Sequence, residues 1–292
     1  MYQSKKLIVV CGATASGKTA YAVKLAREMQ CEILSADSRQ FYIEMNIGTA
    51  KPTVAEQGGV KHHFIDNKHI WEDYNAGQFE HDALNLLKSI FFENDRAVLV
   101  GGSGLYIKAL CEGFDSLPTV SESIRKEVSE DFQKYGLDFL LEELRNKDLD
   151  YFNSVDKQNH TRVMRALEII RTSGKTYSEM RTGKKVVRPF DIEYIMLDWE
   201  RDKLYERINL RVDAMMKAGL LEEVQSLLPF RQTNAMQTVG YREFLEYFDG
   251  KASLETAVEL VKQHTRNYAK RQLTWFRQIK NLKVLSAPSF NS

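Results

Sequence analysis

The chain has 292 residues and a formal net charge of +1, with 43% hydrophobic and 28% charged residues. This is ordinary globular composition, enough for one large domain or a core with a smaller insertion, and it excludes a general polycation. No apolar run approaches the length of a membrane span, and Leu7–Val10 is too short for the hydrophobic part of a leader.

Charge is unevenly distributed. Residues 118–156 hold ten acids against five bases, 157–190 hold nine bases against two acids, and 262–280 carry six Lys/Arg and no acid. Local basic faces on a neutral chain fit a specific nucleic-acid footprint. Cys11, Cys31 and Cys111 are odd in number, widely spaced and without a C-x-x-C pair, so reduced buried thiols and a cytoplasmic protein are expected.

In chain order, Leu7–Cys11 is a continuous apolar run suited to a buried parallel strand. Thr19–Glu28 has helical spacing, and Glu32–Ser35 reads as a second short strand. Ala76–Ile90 repeats apolar residues at helix spacing, and Ala97–Val100 is a further strand closed by Gly101–Gly104. Strand and helix in alternation predict an α/β fold, with a parallel sheet whose ligands lie at the carboxyl ends of the strands. From about Pro118 the strand signals stop until Ile192–Leu197, so 118–190 is expected to be a helical insertion domain. The core would then be 1–117 and 191–292. Lys203–Met216, Leu220–Leu228 and Leu254–Ile279 read as helices of that core.

The strongest motif is Gly12-Ala13-Thr14-Ala15-Ser16-Gly17-Lys18-Thr19, which matches G-x-x-x-x-G-K-[ST] between a predicted strand and a predicted helix. Its backbone N–H groups can converge on phosphate oxygens, Lys18 adds charge, and the Thr19 hydroxyl suits Mg²⁺. The motif alone does not separate a nucleotide from a prenyl diphosphate. A kinase or ATPase would add a strand ending in Asp, whereas Ala97–Val100 ends in glycine. Asp37, just past the second strand, would share the sheet rim with this loop. Position alone leaves it either a general base or a turn cap. The Gly101-Gly102-Ser103-Gly104 turn at the same rim permits close backbone approach to a ligand, but also makes an ordinary tight turn.

These segments occur together with SADSRQFYIEMNIGTAKP (35–52), HHFID (62–66), Tyr74-Asn75-Ala76, VGGSGLYIKAL (100–110), RVMRALEI (162–169), QTVGYREF (237–244) and AKRQLTWFR (269–277). In that order the sequence resembles the tRNA dimethylallyltransferase family, also called tRNA isopentenyltransferases, over nearly its whole length. The resemblance implies a P-loop NTPase-like core that binds dimethylallyl diphosphate with Mg²⁺ and prenylates N6 of the adenosine 3′ of the anticodon in tRNA. It places the family's general base on Asp37, its P-loop Lys and Thr on Lys18 and Thr19, and the threonine of its second glycine turn on Ser103. The family's arginine falls on Arg211, with Arg207 as the alternative. The anticodon stem-loop contacts fall on Asp37, Ser38, Arg39, Gln40 and Ser103. Others fall on Thr161, Arg162, Val163, Met164 and Arg165 of the insertion, on Gln237, Gly240, Tyr241 and Arg242, and on Lys270, Arg271 and Arg277. Two departures are Ala13, where the family commonly has Pro, and Ser103, which keeps the hydroxyl but lacks a methyl.

Other features are expected to be structural. His62 and His63 point to opposite faces of an extended segment and lack zinc-ligand spacing. Tyr268, Trp275 and Phe276 are expected in the core, and a monomer is the expected state. The rivals are a nucleotide kinase, a prenyltransferase acting on free adenine nucleotides, and a non-catalytic RNA-binding module. The first leaves the insertion and QTVGYREF without a role, the basic insertion argues against the second, and the third leaves the P-loop and Asp37 unexplained.

Overall fold

The computed structural model describes residues 5–115 and 117–286. Six parallel strands form one sheet: β1 (Lys6–Cys11), β2 (Ile33–Ser35), β3 (His62–His63), β4 (Arg96–Gly101), β5 (Asp191–Asp198) and β6 (Lys283–Ser286). Their order across the sheet is β3-β2-β4-β1-β5-β6. The first strand sits near the centre, paired with β4 on one side (Val9 opposite Leu99) and β5 on the other (Val9 opposite Tyr194). Its apolar run is continuous because both faces are covered. Leu7, Val9 and Cys11 join Leu99, Phe79 and Leu110 in one layer, while Ile8 and Val10 join Ala22, Val98 and Val100 in the other. Strands β3 and β6 at the sheet's two edges were not anticipated, since two to four residues carry no periodic signal.

The chain divides into two compact units, one of residues 1–112 and 187–292, the other Gly113–Val186. The second unit begins five residues earlier and ends four earlier than the expected 118–190. It is helical: Glu122–Lys147 breaks at Gly136, whose φ of 81° suits glycine, and is followed by Leu149–Ser154 and His160–Ser173. Val128, Leu140, Leu144, Val163, Leu167 and Ile170 make its core. Buried Asp148 accepts from the Tyr151 and Ser178 amides, and Arg171 bonds Glu127, Asp131 and Glu143, so many of the unit's charges are used within it.

Family-like segments also have local structural causes. In Tyr74-Asn75-Ala76, Asn75 caps the Ala76–Glu93 helix by accepting from Gly77 and Gln78, and Gln78 accepts from Asn75 in return. All three cysteines are free and buried. Among the described residues no helix is long and apolar enough to cross a membrane.

Candidate active site

The phosphate loop follows β1 and enters the Lys18–Met29 helix through Gly17, whose φ of 88° is open to glycine without steric cost. Ala15 also has positive φ, 61°, a strained conformation for a residue with a Cβ. The loop is held by its carbonyls, once from within and twice from outside. Lys18 Nζ donates to Ala13 O at 2.6 Å, Arg207 Nε to Ala15 O at 2.9 Å and Trp199 Nε1 to Ser16 O at 3.0 Å. The N–H groups of the first helical turn have no intrahelical acceptor, which suits them to an anion. Buried Ser16 Oγ, in the same loop, has no hydrogen-bond partner among the described residues. Thr14–Thr19 line a pocket of about 500 Å³, while Gly12 and Ala13, assigned to the diphosphate contact with the rest of the motif, are buried and are not part of its lining.

The same pocket is lined by Asp37, Ser38, Arg39 and Gln40 after β2, by Arg211, by Gln237, Gly240 and Arg242, and by Tyr268, Arg271 and Gln272. Asp37 Oδ1 accepts the Arg39 amide at 3.0 Å, which is the Asx geometry of a turn cap. The carboxylate therefore caps its turn and also faces the pocket. Burial raises its pKa, opposed by the amide of Arg39 and the charge of Lys18. Lys18 is pulled down to about 8, first by burial, then by Arg211, with Asp37 acting the other way. A carboxylate made more basic thus shares a pocket with an ammonium made more acidic, an arrangement suited to proton removal beside a phosphate site.

Ser103 accepts the Ser38 amide at 2.9 Å and donates to Ser38 Oγ at 3.2 Å, so it fixes the turn that carries Asp37. The Tyr268 hydroxyl is pushed up to about 12, first by burial and then by Asp37, with Ser103 acting the other way. Glycine in the second turn is required by protein rather than ligand, for a Cβ on Gly101 would lie 2.2 Å from Ala36 O. Arg211 lines the pocket, whereas Arg207 is committed to Ala15 O and packs 4.4 Å over the Trp199 ring.

Two of the tRNA-contact expectations are corrected. Tyr241 is fully buried and donates to Glu223 Oε1 at 2.6 Å; that carboxylate also accepts the amides of Asn46, Ile47 and Gly48. Tyr241 thus locks the 46–48 loop to QTVGYREF and has no surface for RNA. Val163 is fully buried in the second unit's core. Of its neighbours there, Thr161 and Arg162 are exposed, Met164 packs on that core, and Arg165 bonds Glu168 at 3.0 Å. Lys270 and Arg277 are exposed outside the pocket, Arg277 on Asp198 at 3.1 Å.

Tyr268 and Trp275 were expected in the core. Instead Tyr268 lines the pocket and Trp275 is partly exposed over Gly104; Phe276 is buried. Residues not singled out from sequence include Glu223, Trp199 and Gln272. Only Gln272 left a signal, a polar residue on the buried stripe Ala269, Gln272 and Phe276 of the Leu254–Phe276 helix. His62 donates Nδ1–H to Val60 O at 2.9 Å, and its buried Nε2 at the pocket wall has no partner among the described residues.

A family model described as IPP transferase matches residues 40–279. The chain is 46% identical over 285 residues to the tRNA dimethylallyltransferase of Flavobacterium johnsoniae, covering 96% of this chain and 92% of that protein. It is also 46% identical over 280 residues to the tRNA dimethylallyltransferase of Christiangramia forsetii, covering 96% and 93%. Among solved structures, the full-length tRNA isopentenylpyrophosphate transferase of Bacillus halodurans superposes with a TM-score of 0.72 at 37% identity, covering 97% of this chain and 90% of that one. A eukaryotic dimethylallyltransferase acting on tRNA gives a TM-score of 0.82 at 28% identity, covering 97% and 74%. With a family match over most of its length and relatives this similar end to end, the chain belongs to the IPP transferase family.

Proposed function

We propose that this enzyme transfers the dimethylallyl group of dimethylallyl diphosphate to N6 of the adenosine 3′ of the anticodon in tRNA, releasing diphosphate. One observation carries the reading: the phosphate loop and Asp37 line one pocket together with the QTVGYREF segment. The relatives' names supply the substrates, and the chemistry of the pocket residues fits them.

The exocyclic amine of adenine is a weak nucleophile because its lone pair is delocalised into the ring. It needs close placement against C1 of the allyl group and a base for its proton. As the N6–C1 bond forms, the C1–O bond breaks, the diphosphate leaves with the electron pair, and Asp37 takes the N6 proton. Burial makes Asp37 a stronger base than an exposed aspartate. Lys18, Arg211 and the loop amides stabilise the charge growing on the leaving group. Mg²⁺ fits the donor set: no cluster of three His, Cys, Asp or Glu is present among the described residues, but Mg²⁺ commonly takes few protein ligands beside phosphate oxygens and water. Thr19 would supply its hydroxyl, and the ion would add charge neutralisation at the leaving diphosphate. RNA enters because the target base is stacked in the anticodon loop and has to be extruded to reach Asp37.

The test is labelled dimethylallyl diphosphate with tRNA, with AMP and with neither. Label in tRNA alone is expected. Asp37→Ala should lower transfer by about two to four orders of magnitude, the usual contribution of a general base, with diphosphate affinity nearly unchanged. Transfer near the wild-type rate in that variant would remove Asp37 from the mechanism. Label in AMP alone, or ATP turnover without transfer, would replace the reading.

A further inference from the structure

We infer that Gln272 is a positioning residue that sets the diphosphate loop from the helix forming the acceptor-side wall; the inference rests on the prenyl-transfer reading above. The Leu254–Phe276 helix presents Val261, Thr265, Tyr268, Arg271 and Gln272 to the pocket. Gln272 alone among them reaches back to the phosphate loop through hydrogen bonds. Its Oε1 accepts the Thr14 amide at 2.8 Å, and its Nε2 donates to Gly102 O at 2.8 Å. Gln272 is 6% exposed; its bond to Gly102 O is buried, and its bond to the Thr14 amide is partly buried at the pocket wall.

The amide orientation is fixed by its partners. Turned over, it would set NH₂ against the Thr14 N–H and oxygen against the Gly102 carbonyl. Contact with the second turn is close enough that a Cβ on Gly102 would fall 2.3 Å from Nε2. One side chain therefore spans the two glycine turns that end β1 and β4. Two consequences follow for the chemistry. The Thr14 N–H is spent on Gln272, so the cradle for the diphosphate begins after it. The start of the loop is also held at fixed spacing from Gly102. Without Gln272, the partly buried Thr14 N–H and the buried Gly102 C=O would both lose their partner, and the start of the loop would have to be ordered by the substrate itself.

Gln272→Met keeps the length and removes both bonds. The Kd for inorganic diphosphate by calorimetry, and the KM for dimethylallyl diphosphate, should both rise about tenfold. Stem-loop affinity should stay within about twofold, and kcat should fall by less than about threefold, because the groups that act in the transition state remain. Gln272→Glu supplies a second, independent readout. A protonated carboxyl reproduces both bonds, whereas a carboxylate opposes Gly102 O. Its KM relative to wild type should recover as pH is lowered from about 8 to about 6, a buried carboxyl titrating in that range. Gln272→Met should show no such recovery. If circular dichroism shows the Met variant unfolded, the Glu variant's pH series decides. A folded Met variant with unchanged Kd and KM, or a Glu variant whose KM ratio ignores pH, overturns the inference. If the wild type transfers no prenyl group but the Met variant still loses diphosphate affinity, the reaction reading fails and the loop-positioning inference stands.

Discussion

Raising the pH through 8 should strip the proton from Lys18 before any substrate arrives. In the free protein this ammonium is held at about 8 rather than 10.5, because burial and the neighbouring Arg211 disfavour its charge. At about 1.4 kcal/mol per pH unit, that gap corresponds to roughly 3 kcal/mol held against the charged form. Below pH 8 the folded enzyme carries the whole penalty. Between 8 and 10.5 the unfolded chain keeps the proton that the folded one has lost, so this group alone makes the free enzyme more stable as pH rises through that window. Diphosphate reverses the balance, since its charge restores the ammonium. Binding above pH 8 must therefore take up a proton, and affinity should fall about tenfold per pH unit until Lys18 in the complex also titrates. Calorimetry on wild type and Lys18→Met from about pH 7 to 10 isolates the effect, because the variant retains every titration of the ligand. The wild-type affinity should fall more steeply than the variant's above pH 8. Titrations in two buffers of different ionisation heat should show about half a proton taken up per site at pH 8. Parallel pH profiles for the two proteins, or binding without proton uptake, would refute the reasoning.

Arg211 and Arg207 should separate by what their removal costs, binding for one and stability for the other. Arg211→Ala removes the like charge beside Lys18, so the Lys18 midpoint should move up while diphosphate binding at neutral pH weakens. Arg207→Ala loses the bond to Ala15 O and the packing on Trp199, so it should cost about 1–3 kcal/mol in chemical denaturation. Tyr241→Phe should cost about 1.5–3 kcal/mol of stability, the range for a hydrogen bond to a charged group, with stem-loop affinity in a gel-shift assay unchanged. A loss of RNA affinity in a stably folded Tyr241→Phe would restore it as a contact residue.

The central strands and the phosphate loop were legible because each carries a local rule. A run buried on both faces has no polar position, and the glycine at 17 answers a backbone angle. The second unit was legible by the loss of strand patterning, although its limits were not, because nothing local marks where a chain leaves one core for another. Asp37 could be placed at the sheet rim from the strand before it, but only the structure shows one side chain capping its turn and facing the pocket. What escaped was side-chain support across long sequence distances. Glu223 serves amides more than 170 residues away, and Gln272 and Thr14 are 258 apart. No spacing rule links such partners. Tyr241 misled for the opposite reason, since a motif shared with a family shows that a residue matters without saying whether it faces the ligand or the core.

The basic stretch 262–280 shows how folding changes what a charge count means. Lys262 lies between Asp213 at 2.8 Å and Glu259 at 3.0 Å, Arg266 donates to Asn209 at 2.7 Å, and Arg277 meets Asp198. Lys270 and Arg271 remain exposed, with Arg271 beside the pocket and over the Tyr268 ring at 5.8 Å. Six cations in sequence therefore do not make a six-charge face. The cations that line the pocket, Lys18, Arg39, Arg211, Arg242 and Arg271, come instead from separate stretches of the chain, so the positive charge at the site is assembled by the fold rather than by any one basic run.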